Sequence, residues 1–402
     1  MFKNRILIAY VILQSACANG SSNTNEKSQG SWREPTLVQT PFMTGLQNPW
    51  DLAFLPDGTL FFTEKCRGLS VRKTDGTVIR LFGTAGSAVI ANDLFCEGQS
   101  GMAGVALDPQ FSLNRLIYVY MASNLSNPRT NRVIKLTVAN DLSTVSDRND
   151  IVTDISYKNV ANTWGGAGSH SGGRIRFDRD GLLYITTGDN HNGPLPQDLT
   201  RLGGKVLRVT TDGAGAPNNN TPSGGDPRIF TFGHRNVQGL TFHPVTGQAF
   251  IAEHGPNHSD EITRLIPGGN GGWDPQPEPG VTCADNYCGY TSNKPSGLPT
   301  PMTDIIKFPN AMRPIVVYAD SQGMGPATFL TGSKWLAWEG TLAVGMMAAR
   351  RLDIFYLNSS GEREAMTTAI LPSARMRSLV TGPEDNLYIA TDEGQIWKVE
   401  PQ

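Results

Sequence analysis

The chain has little of what marks helical, nucleic-acid-binding or zinc-binding proteins. Only 17% of its 402 residues are charged, the formal net charge is −2, and long amphipathic helical patterns are absent. A charge so close to neutral gives no general attraction to nucleic acid. The five cysteines include no CxxC pair of the kind that binds structural zinc. Helical bundles, nucleic-acid binding and zinc-stabilised folds are therefore disfavoured.

Long hydrophobic runs are also missing. Met1–Ala18 carries two basic residues and then the apolar run Ile6–Leu13, which is too short to cross a bilayer and predicts an export signal. Ordinary signal-peptidase cleavage is one interpretation, and a lipobox with a lipid anchor on Cys17 is the other, although Gln14 stands where its leucine belongs. Residues 19–35 are polar and predict a flexible leader. We expect an exported, periplasmic protein, either free or anchored to the membrane as a lipoprotein.

The cysteines point to disulfides once Cys17 is assigned to the leader or anchor. Four then remain, and an even number in an exported chain favours disulfide bonds. Three connectivities are open. The spacing favours a short loop closed by Cys283 and Cys288, with Cys66 bonded to Cys96.

Glycine and proline are abundant, with 44 and 26 residues, and they punctuate a repeated unit. Each unit is an apolar strand, a Pro-Asp-Gly type turn and a second strand rich in aromatic or β-branched residues. Copies start at Asp51, Gly104, Arg174, Gly239 and Leu379, and a weaker copy surrounds Glu339–Val344. Six units of four strands predict an all-β, six-bladed β-propeller of four-stranded antiparallel blades over residues 36–402.

Two further features of the propeller can be predicted. A strand near Leu37–Phe42 is expected to complete the last blade beside Gln395–Val399 and to close the ring. Turn-rich insertions at 214–226 and 267–303 interrupt the repeat, and long loops in compact folds are more often functional than idle.

Polar residues precede the strands of several hairpins, so they should share one rim of the propeller. Gln99, His170, Arg235 and Arg377 hold these positions. Folding the strands about Asp180-Gly181 brings Asp189 opposite His170 or one diagonal away. A lone histidine is usually structural, but His170 has small neighbours and this carboxylate. We interpret it as a candidate general base, with Asp189 fixing its tautomer and favouring its protonated form.

Cationic side chains belong to the same rim. Arg235 and Asn236 should face Gly255-Pro256, whose backbone carbonyls are ligands that Ca²⁺ accepts. Arg375 and Arg377 alternate along a strand, so both point to one face and can bind a polycarboxylate. A solvated strand edge is the simpler alternative for these two arginines.

Several longer motifs occur together and in order. They are the stretches that start at Glu97 (EGQSGMAGVA), His170 (HSGGRIRFD), Gln197 (QDLTRLGGKVLR), Gly233 (GHRNVQG), Glu253 (EHGP) and Asp260 (DEI). With them the chain resembles the soluble pyrroloquinoline quinone (PQQ) dependent sugar dehydrogenases, most of all the bacterial aldose sugar dehydrogenases. The resemblance covers nearly everything from Asn48 to the C-terminus.

The resemblance implies an enzyme that oxidises aldoses at C1 to lactones, uses PQQ and Ca²⁺, and passes electrons to an external acceptor. His170 would take the proton of the anomeric hydroxyl, Asp189 would orient His170, and Arg235 would stabilise negative charge on the cofactor. The implied cofactor-binding residues are Gln99, Arg235, Asn236, Tyr287, Arg375 and Arg377. The implied calcium ligands are the carbonyls of Gly255 and Pro256 at the cofactor, and Glu261 with Gly271 at a second, structural site.

One departure from the family pattern concerns cofactor charge. Ala348 stands where relatives carry a lysine that pairs with PQQ, and Arg350 or Arg351 is expected to compensate. Two alternative functions are a calcium-dependent propeller lactonase or other hydrolase, and a binding propeller without catalytic activity.

Overall fold

The computed structural model describes residues 33–159 and 165–402, which form a six-bladed β-propeller. The first strand of each blade contacts the first strands of the two neighbouring blades, so these strands form an inner ring. The predicted fold class is confirmed. The predicted export signal and most of the leader lie outside the described residues.

The strand bounds follow the predicted repeat. Blade one comprises Pro49–Phe54, Leu60–Glu64, Gly68–Arg72, Val78–Gly83 and Val89–Ile90. Blade two comprises Met102–Leu107, Leu116–Ser123, Thr130–Val138 and Val145–Ile155. Blade three comprises Ile175–Phe177, Leu183–Thr186, Lys205–Val209, Ile229–Phe232 and Gly269–Asn270.

The second half of the ring repeats this layout. Blade four comprises Val237–Phe242, Ala249–Glu253, Glu261–Arg264 and Pro314–Val317. Blade five comprises Met324–Phe329, Leu342–Met346, Arg351–Leu357 and Arg363–Thr368. Blade six comprises Met376–Thr381, Leu387–Thr391, Gln395–Pro401 and Leu37–Met43. The described helical segments are the α-helical turn Phe111–Asn114 and the 3₁₀ segments Leu195–Gln197, Ala284–Asn286, Ser333–Trp338 and Pro383–Asp385.

Two blades depart from the predicted four strands. Val89–Ile90 in blade one and Gly269–Asn270 in blade three each add a short fifth strand, paired in parallel with its neighbour. The strand in blade three comes from the insertion 267–303, so this insertion is partly incorporated into the propeller.

The ring is closed by pairing between the two ends of the described chain. Leu37–Met43 runs antiparallel to Gln395–Pro401, with Leu37 opposite Pro401 and Met43 opposite Ile396. The predicted closure is confirmed. It joins N- and C-terminal segments in one sheet.

Blades pack face to face through apolar side chains. Between blades two and three, Tyr118 and Val133 pack with Ile175 and Leu207, and all four are fully buried. Burying one such side chain contributes about 1.5–3 kcal/mol relative to exposure, and the repeated faces supply many of them.

The inner ring also contains a buried ion cluster around Asp51. Its carboxylate accepts hydrogen bonds from Arg174 Nη1 at 2.5 Å, Arg176 Nη1 at 2.7 Å, Ser378 Oγ at 2.8 Å and the Val105 amide at 3.1 Å. Burial opposes ionisation, but the charges of Arg174 and Arg176 prevail and lower the pKa of Asp51 to about 2. The cluster thus joins the inner strands of blades one, two and six to blade three.

Both favoured disulfides are present, Cys66–Cys96 and Cys283–Cys288. Among the described residues, no helix is long and apolar enough to cross a membrane.

Candidate active site

A cavity of about 440 Å³ opens at one rim of the propeller. In every antiparallel hairpin the start of the first strand lies beside the end of the second, so residues from both positions meet there. Arg235 and Arg377 lie at the starts of first strands, and His254 and Asp392 lie just after the ends of second strands. The structure therefore brings Gln99, His170, Arg235, Asn236, Arg375 and Arg377 to one cavity, as the repeat predicts.

His170 and Asp189 form the predicted pair. His170 Nδ1 lies 2.6 Å from Asp189 Oδ1, and both residues are buried. Asp189 accepts two further hydrogen bonds, from the His191 amide at 2.9 Å and from Trp273 Nε1 at 2.8 Å. Gly188 allows this approach, because a Cβ there would overlap the carbonyl oxygen of His170.

The hydrogen bond to Asp189 fixes the tautomer of His170. The Asp189 carboxylate also accepts from the His191 amide and Trp273 Nε1, so it acts as the acceptor toward His170 as well. His170 Nδ1 therefore carries the proton, and His170 Nε2 keeps its lone pair. The expectation that Asp189 favours the protonated form is not met. Burial first, and then the charges of Arg235 and His254, lower the pKa of His170 well below 6.5. A neutral imidazole with a free nitrogen is the form that a general base needs.

Arg235 holds backbone carbonyls at the cavity wall. Its Nη1 donates to the carbonyls of His254 and Gly255 at 2.8 Å each, and its Nη2 donates to the Tyr290 hydroxyl at 2.7 Å. Its Nε is buried and has no hydrogen-bond partner in the part of the chain that the structure describes. The predicted meeting of Arg235 with Gly255 is thus present.

A second cationic wall is formed by blade six. Arg375 Nε donates to Asp392 Oδ2 at 2.7 Å, and Arg377 donates to both oxygens of Asp392 at 2.7 and 2.9 Å. Lys65, which sequence reasoning missed, lies near Arg377, and its Nζ donates to the Gly98 carbonyl at 2.6 Å. The cavity is therefore rich in positive charge and contains one paired carboxylate among its described lining residues.

The two amide side chains of the predicted set face the same space. Gln99 Oε1 lies 3.4 Å from the His170 amide nitrogen, and Asn236 Oδ1 accepts from the Gly172 amide at 3.3 Å and from Gln238 at 3.0 Å. These contacts fix how both amides are turned, which leaves their NH₂ groups as donors toward the cavity.

The predicted calcium ligands lie in two places. Gly255 is buried behind Arg235, which contacts its carbonyl, and Pro256 follows it in a neighbouring groove. Glu261 and Gly271 lie on either side of the buried His234–Glu253 pair: Glu261 is opposite Glu253 in the sheet, and Gly271 packs on the His234 ring. In residues 33–159 and 165–402, no three His, Cys, Asp or Glu side chains cluster as a metal site.

Glu261 is buried beside a second carboxylate, Glu253. Burial first, and then the charge of Glu253, raise the pKa of Glu261 well above 4.5. Thr303 Oγ1 donates to Glu261 Oε2 at 2.8 Å. A cation between these groups would relieve the repulsion of two buried carboxylates.

Two sequence expectations are not matched at the cavity. Tyr287 is buried behind it, with its ring 5.0 Å from that of His191, and Tyr290 is the tyrosine that lines the cavity.

The two arginines expected to compensate for Ala348 have other partners. Arg350 pairs with Glu393 at 2.6 Å and Arg351 pairs with Asp353 at 2.9 Å. Neither arginine lines the cavity, so the expected compensation for Ala348 by these two residues is not seen.

Sequence reasoning also missed a layer behind His170. The His191 ring lies 3.8 Å from the His170 ring, its Nδ1 is 2.9 Å from Lys158 Nζ, and its Nε2 is 3.3 Å from the Tyr290 hydroxyl. Burial first, and then His170, lower the pKa of His191 to about 2. Trp273 and Tyr290 come from the insertion 267–303. The length of this insertion is the sequence feature that indicates a functional role for it.

Comparison with known proteins gives a consistent result. The family model described as glucose/sorbosone dehydrogenase matches residues 46–398. The aldose sugar dehydrogenase YliI of Escherichia coli is 29% identical, with 93% of this chain and 96% of that protein covered. Quinoprotein glucose dehydrogenase B of Acinetobacter calcoaceticus is 30% identical over 58% of this chain and 51% of that protein. The PQQ-bound aldose sugar dehydrogenase of Streptomyces coelicolor has the same fold, with a TM-score of 0.68, 23% identity, and 92% and 100% of the two chains covered.

Proposed function

Since the chain belongs to the glucose/sorbosone dehydrogenase family, we propose that it is a PQQ-dependent dehydrogenase that oxidises aldose sugars at C1 to lactones. The observation that carries the proposal is that a neutral, carboxylate-oriented histidine and three arginines face one cavity. A hydrolase needs the histidine but has no use for Arg235, Arg375 and Arg377 around one space.

The residues present fit PQQ, a planar tricarboxylate quinone. Arg375 and Arg377 lie side by side at the cavity and can bind carboxylates, and Asn236 and Gln99 offer amide donors. The buried Nε of Arg235 lacks a partner among the described residues, as expected for a donor awaiting a ligand. When bound, PQQ supplies a quinone that accepts hydride from the sugar.

His170 supplies the base. Its free Nε2 takes the proton of the anomeric hydroxyl as hydride leaves C1, so that the aldose loses two electrons and two hydrogens and becomes a lactone. Asp189 keeps the ring oriented and compensates the imidazolium that forms. Arg235 would stabilise negative charge on bound PQQ, which is the differential interaction that catalysis requires.

Calcium is part of the proposal. The carbonyls of His254 and Gly255 already converge on one positive group, Arg235 Nη1, so this wall is suited to cations. Gly255 and Pro256 would ligate a calcium ion at the cofactor, where it acts as a Lewis acid. Glu261 and Gly271 would bind a structural ion.

The proposed setting is outside the cytoplasm. The predicted export signal favours a periplasmic enzyme, with a lipid anchor on Cys17 as the variant form, and an external electron acceptor is needed to return the cofactor to its oxidised state. These features stay predictions.

The test is reconstitution. Purified protein is mixed with PQQ and Ca²⁺, and reduction of a dye is followed with glucose and other aldoses. Sugar-dependent dye reduction that requires PQQ is expected. Lactone hydrolysis without PQQ would contradict the proposal in favour of a hydrolase, and PQQ binding without oxidation of any aldose would contradict it in favour of a binding protein.

A further inference from the structure

The cationic side chains that line the cavity differ in how far a carboxylate neutralises their charge. Arg375 and Arg377 share one counterion, Asp392, so these three groups carry a net charge of one. Arg235 is held by backbone carbonyls and a hydroxyl. Lys65 has no carboxylate within ion-pair distance among the described residues, and its ammonium donates to the neutral carbonyl of Gly98.

The backbone of Lys65 is held on every side. Its amide donates to the Asn48 carbonyl at 3.1 Å, and its carbonyl accepts from the Met102 amide at 2.8 Å. The next residue, Cys66, is bonded to Cys96, which anchors the segment leading to Gly98. Gly101 lies against the lysine stem, since a Cβ at that position would come within 2.8 Å of Lys65 Cγ. The stem of Lys65 is therefore fixed, and the Gly98 carbonyl holds the ammonium at the cavity.

The electrostatic environment agrees with the geometry. Burial first, and then the charge of Arg377, lower the pKa of Lys65, and Asp392 offsets only part of this effect. Placing a cation next to another cation costs free energy in the unliganded protein. A multiply charged anion in the cavity would remove this cost, whereas a neutral sugar would not.

We infer that Lys65 is a cofactor-binding residue whose ammonium group, held at the cavity by the Gly98 carbonyl, donates to a carboxylate of PQQ. The inference deepens the proposed function and depends on it. It supplies the cation that Arg350 and Arg351 do not supply, from blade one instead of blade five.

The test measures cofactor affinity directly. Apo-protein at fixed Ca²⁺ is titrated with PQQ, followed by quenching of tryptophan fluorescence, for the wild type, Lys65→Met, Lys65→Arg and the control Lys73→Met. Lys73 lies in the turn after strand Gly68–Arg72, at the end of the blade away from the cavity. Lys65→Met should raise the Kd for PQQ about 10- to 100-fold, the size of one charge-assisted hydrogen bond. Lys65→Arg should recover most of the affinity, and Lys73→Met should match the wild type.

The outcomes separate the two claims. Wild-type affinity in Lys65→Met would overturn the role of Lys65 and leave the proposed function intact, as would a raised KM for sugar with an unchanged Kd for PQQ. A wild-type protein that does not bind PQQ would overturn the proposed function itself. Melting temperatures of all variants, measured without PQQ, show whether a loss of affinity reflects misfolding.

Discussion

Trp273 donates its indole N–H to Asp189 at 2.8 Å and thereby fixes, from an inserted loop, the carboxylate that orients His170. Asp189 is in blade three, and Trp273 follows the short strand that the insertion adds to that blade. The base is thus held by two segments that are far apart in the chain.

The first prediction tests this bond. Trp273→Phe keeps the ring but loses the donor, so Asp189 should be held less firmly and turnover should fall roughly tenfold. Trp335→Phe is the control, because it loses a hydrogen bond of the same length, to the Asp385 carbonyl, away from the cavity. Equal turnover in the two variants, measured with saturating PQQ, would show that Trp273 does not position the base.

Replacing the base itself should have a larger effect. His170→Gln should lower turnover by about 10²-fold or more, since it removes the only proton acceptor that we assign, while the Kd for PQQ changes little. His243→Gln, in a turn between strands of blade four, is the matched histidine control. A His170→Gln enzyme with undiminished turnover would remove His170 from the mechanism.

The ion cluster of the inner ring should dominate stability. Asp51→Asn leaves the buried Arg174 and the partly exposed Arg176 without their counterion, and we expect the free energy of unfolding to fall by about 3–5 kcal/mol. Asp212→Asn breaks an exposed pair with Lys135 and should cost less than about 1 kcal/mol. Urea denaturation compares the two, and similar losses would contradict a special role for Asp51.

Stability should also decline in mild acid through His191. Its pKa is about 2 in the folded protein and about 6.5 when unfolded, so below pH 6.5 the unfolded state binds the extra proton. Folding stability is then lost by up to about 1.4 kcal/mol per pH unit as the pH falls from 6.5. His191→Gln should flatten this slope in unfolding measured between pH 7 and 5, and an unchanged slope would rule out His191 as its source.

Calcium removal gives the fifth prediction. A chelator should lower both activity and melting temperature, because an ion that binds only the folded state stabilises it. Added Ca²⁺ should restore both, and the melting temperature should rise with its concentration. A protein unaffected by chelation would contradict both calcium assignments.

Much of the fold could be predicted because the repeat is local. Turn residues and alternating strands define each hairpin, and a hairpin fixes which residues face each other, as His170 and Asp189 do. Trp273, Tyr290 and Lys65 could not be placed in this way. Their contacts cross between a loop and a blade or between neighbouring blades, and no sequence period encodes those distances.

The direction of the His170 pKa was missed for a related reason. The nearby carboxylate could be inferred from the hairpin, but burial and the charge of Arg235 arise from the whole ring. Because burial and the charge of Arg235 oppose the effect of the nearby carboxylate, the hairpin alone cannot give the direction in which the pKa of His170 shifts.

The closing strand Leu37–Met43 also fixes the face of the propeller at which the N-terminal leader enters. Strand Leu37–Met43 begins beside Pro401 and runs toward Ile396, near the cavity rim where Asp392 lies. Whatever precedes residue 33 therefore joins the propeller at the far end of blade six. If Cys17 carries the predicted lipid anchor, the anchored leader would enter the propeller on the face opposite the cavity.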